Sequence, residues 1–405
     1  MHLAKRICSF FKLINSLNYI RELSFSKILD MKVKICYNVI ANVNDNGNVN
    51  ERVDLMPRNQ KVTIKDVAEA AGVSTQTVSR VINFRPDVSP ETKERVQKVI
   101  EELGYSPNVI ARSLVRGRSN TLGVVGWGLG YYGPTNILKG IEQKTHELGF
   151  SLLLSLIDDF EPSRINDIAN NLLSRQVDGI IWAVPGNDRM VGQLSSKFKH
   201  VSVPIVYINK SKRADDIIVA LDNHYGARLA TEHLLKQGYT CVGIITGPSD
   251  WWEAQRREEG WREMMEARFA NNLDMLKVIG DWSAASGASG LRELIAKYPE
   301  IDAIFACNDQ MALGALQAAR DLGINVPKEL GIVGFDDVPE AAYFYPSLTT
   351  IRQNAETIGA MAVDQMCNII SARQEGETYK PDVIWAKPRL IVRNSSIRIE
   401  VTQLE

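Results

Sequence analysis

Two textures divide this chain. From Val62 to Leu103 apolar residues recur at helical spacing between short polar joints. After Thr121 short apolar runs alternate with amphipathic stretches of helical length. In the first region Thr63, followed three residues later by Asp66, forms a capping-box start, and Val67, Ala68 and Ala71 lie on one face of the helix it opens. Gly72-Val73 supplies a tight turn. Ser74 caps a second helix ending near Asn83, whose inner face holds Val78, Val81 and Ile82 and whose outer face is left with Thr75, Gln76, Ser79 and Arg80. Ser89-Pro90-Glu91 opens a third helix carrying Val96, Val99, Ile100 and Leu103, and Gly104 stops it. Ser106-Pro107 opens one more short segment, from Asn108 to Leu114, before the basic stretch Arg116-Gly117-Arg118-Ser119.

Strand-like runs follow at 121–127, 151–157, 179–184, 204–208, 217–221, 241–246, 303–307 and 330–335. Strands alternating with helices predict parallel sheets covered on both faces, and a stretch this long predicts two lobes. The expected organisation is a leader at 1–60, a head at 61–105, a linker at 106–120, a core at 121–393 and a tail at 394–405. Within the core, the first lobe is expected at 121–221 plus 355–382 and the second at 222–351 plus 383–393. The leader, with its polar run Asn42 to Asn50, reads as disordered or as lying upstream of a true start at Met56.

Charge sharpens this division. Residues 57–119 hold eleven Lys/Arg against seven Asp/Glu, whereas residues 120–405 hold 28 against 36. A basic module ahead of an acidic one suits a nucleic-acid reader attached to something that must not adhere to DNA. The five cysteines are scattered without a Cys-x-x-Cys pair, which fits a reducing compartment, and no apolar run approaches the roughly 20 residues of a membrane span. A cytoplasmic location is expected. The five histidines show no metal-ligand spacing and no Gly-x-Ser-x-Gly elbow occurs, so neither a catalytic nor a metal site is expected. Asp336 and Asp337 are neighbours at a strand end, and their side chains should diverge. Gly128-Leu129-Gly130-Tyr131-Tyr132-Gly133 does match a dinucleotide fingerprint, with Asp158 and Asp159 after the next strand. The motif is short, and a cleft-lining loop without a cofactor is the preferred reading.

The Val62–Asn83 stretch resembles the DNA-binding head of the lac/galactose repressor family. The likeness continues through Val88-Ser89-Pro90-Glu91-Thr92, through Leu103-Gly104-Tyr105-Ser106-Pro107-Asn108 and through the family's hinge, here Val109 to Leu114. It covers residues 61–393. The resemblance implies an all-α helix-turn-helix head with a hinge helix, joined to a two-lobed α/β core like that of periplasmic binding proteins. It also implies a homodimer on a near-palindromic operator, with DNA contacts from Thr63, Ser74, Thr75, Gln76, Thr77, Ser79, Arg80, Asn83, Tyr105, Asn108, Ala111 and Leu114. Arg and Gln on such a helix suit guanine and adenine in the major groove, and Leu114 holds the place of the leucine that wedges into the minor groove.

Gly280 to Gly287, Ala306 to Gly314, Val333 to Asp337 and Leu348 to Gln353 resemble the family's core segments. By that resemblance Trp127, Asn209, Arg257, Trp282, Asn308, Asp336 and Gln353 sit at the effector site. Asn209 falls where the family's namesake has a carboxylate, Trp127 where it has a small hydroxyl residue, and Ala355 replaces a cleft aromatic. Amides and charges serve sugar hydroxyls while an indole covers a C–H face, so the expected function is a sugar-controlled repressor of carbohydrate genes. A periplasmic-type sugar-binding protein and a nicotinamide enzyme are the alternatives. The twelve residues from Asn394 are too short for a coiled coil, so a dimer rather than a tetramer is expected.

Overall fold

The computed structural model describes residues 62–83, 85–105, 118–157, 161–184, 203–211, 215–269 and 273–398. Two compact units divide between Ser106 and Pro107. The expected leader, the hinge residues Asn108, Ala111 and Leu114, and the pair Asp158 and Asp159 lie outside the described residues.

The first unit holds α1 (Ile64–Ala71), α2 (Thr75–Ile82) and α3 (Pro90–Leu103). Local capping defines each start. The Asp66 carboxylate accepts from the Thr63 N–H at 2.6 Å and from its hydroxyl at 2.8 Å. Ser74 Oγ accepts from the Thr77 N–H at 3.1 Å, and Ser89 Oγ from the Thr92 N–H at 3.3 Å. Gly72 ends α1 with φ +62°, a left-handed turn that costs a side-chain-bearing residue energy. Val67, Ala68, Ala71, Val78, Val81 and Val96 bury against one another, with Ile82 and Tyr105 packed at the edge.

The second unit contains two six-stranded sheets. The first comprises β1 (Thr121–Gly126), β2 (Ser151–Leu156), β3 (Gly179–Ala183), β4 (Ile205–Ile208), β5 (Ile217–Leu221) and β11 (Val383–Ala386), in the order β2-β1-β3-β4-β5-β11. The second comprises β6 (Val242–Thr246), β7 (Lys277–Ile279), β8 (Ala303–Ala306), β9 (Gly331–Asp336), β10 (Thr349–Arg352) and β12 (Arg389–Ile391), in the order β7-β6-β8-β9-β10-β12. The first five strands of each sheet follow one topology. They differ at the sixth, where β11 joins β5 in parallel and β12 joins β10 antiparallel.

Alternation along the strands buries both faces of the first sheet. Leu122, Val124, Ile181 and Val219 face the core under α4 (Tyr132–Glu147) and α10 (Ala355–Gln374), while Val125, Ile180, Trp182 and Ile218 face α5 (Pro162–Ser174). The second sheet carries α6 (Asn223–Lys236) and α7 (Trp252–Phe269), and also α8 (Ala284–Lys297) and α9 (Asp309–Asp321). Every residue of β6, β8 and β9 is buried, as expected of parallel strands sandwiched by helices.

Two expected boundaries move. Residues 383–386 belong to the first sheet, not the second lobe: the Ile218 N–H donates to Asp382 O and the Asp222 N–H to Ala386 O, stitching β11 beside β5. The chain therefore crosses between lobes after β5, after β10 and after β11. The start of the expected tail is also lobe. Ser395 and Ser396 are fully buried, the Ile332 N–H donates to Ser395 O at 2.8 Å, and Ser395 Oγ donates back to Ile332 O at 2.6 Å. Residues 399–405, with Ile399, Val401 and Leu404, lie outside the described residues.

Candidate functional site

In the first unit, α2 presents a polar outer face. Thr75, Gln76 and Arg80 are exposed, while Ser79 and Asn83 are half-buried. Arg80 Nη1 stands 3.4 Å from Asp87 Oδ2 with both side chains about half exposed. Such a surface pair is worth roughly 0–1 kcal/mol, a small barrier to releasing Arg80 toward another anion. Ser74, Thr77 and Asn83 are occupied in capping: Asn83 Nδ2 donates to Ser79 O at 2.7 Å. Tyr105 packs against the head core, and Thr63 is tied to Asp66.

In the second unit, a cavity of about 300 Å³ lies between the lobes, a size suited to a small ligand. Its polar lining comes from loops at strand C-terminal ends, where α/β sheets bind ligands. Asn209 follows β4, Asp281 and Trp282 follow β7, Asn308 follows β8, Asp336 ends β9 and Gln353 follows β10, while Arg257 projects from α7.

The second lobe holds its side chains through buried hydrogen bonds. Arg257 Nε donates to Asn223 Oδ1 at 2.8 Å and its Nη1 to Cys307 O, and the guanidinium lies 3.7 Å from the centre of the Phe335 ring. Asn308 caps α9 through its Oδ1, accepting from the Met311 N–H at 2.8 Å, and its Nδ2 donates to Trp282 O at 2.9 Å. Gln353 Nε2 donates to Asp336 Oδ1. Asp309, directly below, accepts from Thr350 Oγ1 at 2.5 Å and from the Val338 N–H at 2.9 Å. Asp337 turns away to pair with Arg352 and Arg393, so the two neighbouring aspartates diverge as expected.

Trp282 has φ +72°, a strained conformation for a bulky side chain, and Asn209 (+49°) and Asp336 (+127°) share the positive-φ region. The indole fits because residue 247 is glycine: a Cβ there would stand 2.0 Å from the Trp282 ring. Trp282 is buried, and its Nε1 has no hydrogen-bond partner. An orphaned donor in a cavity wall waits for an acceptor.

Burial dominates the titration behaviour. It raises Asp336 to about 7, against the opposing influence of the Arg257 charge and the Gln353 hydrogen bond. It also raises Asp309, with the Asp336 charge adding to the effect. Desolvation lowers Arg257, which the Asp336 charge counters. Burial lifts the Glu253 carboxyl as well, and pushes the Cys307 thiol to about 12.

Six of the seven expected effector residues line this cavity. Trp127 does not. Its ring stacks on Tyr131 (5.7 Å, 23°) and meets Trp251 edge-on at 4.9 Å, so it backs the wall. Tyr131, Tyr132 and Trp251 form the wall itself, and Trp251 reaches Trp282 edge-on at 5.4 Å. The glycine-rich loop 128–133 thus contributes aromatic rings to a cleft. Sequence reasoning missed Glu253 and Asp281. The signal for Glu253 was its place four residues before Arg257, which sets both on one helix face.

These features have counterparts among known proteins. Residues 63–108 match the bacterial regulatory proteins, lacI family, and residues 231–396 match the periplasmic binding protein-like domain. The chain is 33% identical over 310 residues to the ribose operon repressor of Escherichia coli (strain K12), covering 76% of this chain and 93% of the relative. The chain belongs to the lacI family. Among solved structures, the lac repressor dimer bound to operator and the anti-inducer ONPF superposes with a TM-score of 0.73 at 29% identity, covering 84% of this chain and all of that one. The complex of the transcriptional regulator CelR with cellobiose gives 0.61 at 31% identity, covering 82% and 99%. As a lacI-family member the chain is a DNA-binding transcriptional regulator. Among the described residues no helix is long and apolar enough to cross a membrane.

Proposed function

We propose that this regulator is a cytoplasmic repressor of carbohydrate-utilisation genes that releases a near-palindromic operator when a small sugar enters the cleft. One observation carries the reading. The cavity wall holds a preassembled polar set (Arg257, Asn308, Asp336 and Gln353) around an indole whose N–H lacks a partner. Hydroxyls both donate and accept, so they can satisfy carboxylate, amide and indole together. The relatives bound to operator, to ONPF and to cellobiose support the same assignment. The chain performs no covalent chemistry in this reading; binding alone shifts it between states.

Assembly as a homodimer is part of the proposal. Leu154 and Leu156 on edge strand β2 are each 37% exposed, and Tyr343 and Tyr345 are 88% and 94% exposed, apolar surface that a second copy can cover. Sedimentation should return a dimer at micromolar concentration; a persistent tetramer contradicts it.

A thermal-shift screen of mono- and disaccharides tests the effector. A sugar at 100 times its dissociation constant stabilises by about 2.7 kcal/mol. The same sugar must lower operator affinity in fluorescence anisotropy; stabilisation without release removes the inducer role. On the DNA side, Arg80→Ala should weaken operator binding by ~1–3 kcal/mol and relax preference at one base pair per half-site. Equal weakening on random DNA would reduce Arg80 to a phosphate contact.

A further inference from the structure

Glu253 lies in the first turn of α7 and lines the cavity beside Asn209 and Arg257. An acid there suits the helix dipole, and its carboxylate also takes a hydrogen bond from the Asn209 side chain. Asn209 is the donor, because a carboxylate only accepts, and its Oδ1 separately accepts from the Leu221 N–H at 2.9 Å. Neither fact accounts for Oε2, which is closed off from solvent and accepts no hydrogen bond. Two buried polar atoms of the cleft, Glu253 Oε2 and Trp282 Nε1, are thus unsatisfied, and they ask for opposite partners: a donor and an acceptor. The lining also carries three carboxyl groups, on Glu253, Asp281 and Asp336, against the single cation Arg257, whose Nε and Nη1 are already committed to the protein.

We propose that Glu253 is a ligand-selecting residue of this cleft, accepting a hydroxyl of the effector at Oε2 and restricting the effector to an uncharged saccharide. The proposal rests on the sugar-effector reading and deepens it. A sugar hydroxyl supplies the donor Oε2 needs, and another hydroxyl or ring oxygen can accept from the indole. Above about pH 7, where Asp336 ionises, a carboxylate or phosphate on the ligand offers an ionised Glu253 only a second negative charge in a water-poor site, with Asp281 and Asp336 in the same lining. Uronic acids, aldonic acids and sugar phosphates are the classes rejected.

The test titrates the purified full-length protein at pH 8, above the Asp336 titration, with matched pairs, cellobiose and cellobiouronic acid, glucose and glucuronic acid, galactose and galacturonic acid, by calorimetry. The neutral member of at least one pair should bind, and its acid should bind ~100-fold more weakly or not at all. Glu253→Gln should narrow that ratio by about tenfold or more, because the amide keeps an acceptor and removes the charge. Glu253→Ser, which removes the carboxylate without introducing an amide, should narrow it likewise and guards against a fault peculiar to one variant. An acid bound within threefold of its neutral partner, or a ratio unchanged in both variants, overturns the role of Glu253 while the sugar reading stands. Binding of a purine base with no saccharide bound at all overturns the sugar reading itself, and this proposal with it.

Discussion

In the second lobe, the side chains that reach the cleft are bound to one another before any ligand arrives: Arg257 to Asn223 and Cys307, Asn308 to Trp282, Gln353 to Asp336. In the first lobe the corresponding loops deliver mostly rings. Tyr131 and Tyr132 line the cavity, Trp127 supports Tyr131 from behind, and Asn209 is the lobe's amide, fixed by the Leu221 N–H. The two lobes share a strand order for their first five strands, so topology does not account for the difference. What separates them is the load on equivalent loops: one carries a rigid polar anchor beside the Trp251 and Trp282 rings, the other carries rings with a single amide. Preorganised polar groups give orientation and discrimination, whereas rings contribute apolar area that tolerates variation in the ligand.

Arg257 is the centre of the second-lobe anchor. Truncation leaves Asp336 without its nearest cation and removes contact with Phe335, so Arg257→Ala should destabilise the second unit by ~3–5 kcal/mol in urea unfolding. It should also abolish the effector response; retained response would show the anchor to be dispensable. Gly247→Ala tests the same anchor through packing alone. With a Cβ 2.0 Å from the Trp282 ring, the indole must leave, at a cost of ~1–3 kcal/mol in stability. Effector-dependent quenching of tryptophan fluorescence should fall with it.

Asp336 makes the anchor sensitive to pH. Burial raises its pKa to about 7, so below that value the folded protein holds a proton that the unfolded chain releases near 4. The stability it contributes is therefore fully present at low pH and is lost as pH rises through 7. Relative to Asp336→Asn, the wild-type protein should lose on the order of 1–3 kcal/mol between pH 4 and 8 in paired urea titrations. A flat difference would remove Asp336 as a titrating group. Hydroxyl donors favour the ionised carboxylate, so sugar affinity should rise across the same interval. The smallest effect is expected on the aromatic side. Tyr131→Ala removes one ring of several and should weaken a sugar by only ~0.5–1.5 kcal/mol, read by calorimetry. A loss as large as that at Arg257 would erase the division between the polar anchor and the rings.

Much of the head was legible because its determinants are local. Thr63 with Asp66, Ser74 with Thr77 and Ser89 with Thr92 each act over three residues, and the apolar faces of α1 and α2 repeat at helical spacing. The core was legible where strands are long and buried on both faces, as in β1, β6 and β9. It was not legible at β7, β10, β11 and β12, which are three or four residues long and lie at or next to a sheet edge with exposed or half-buried positions, whereas the equally short β4 and β8 are almost wholly buried. That is why the expected lobe boundary fell before β11, although Val383 to Ala386 pair with β5.

Helix starts and stops and the alternation of strand and helix were readable from the chain alone, whereas the polar residues of the cleft were named only through the family resemblance. The former depend on residue chemistry or on neighbours within a few positions. Which side chains face the cavity and which stand behind it follows from the packing of the folded lobes. Trp127 and Trp251 differ in no way that periodicity can register, yet one backs the wall and the other forms it. The same holds for what is left unsatisfied. Glu253 Oε2 and Trp282 Nε1 are buried without partners, and a missing hydrogen bond exists only once burial has excluded water.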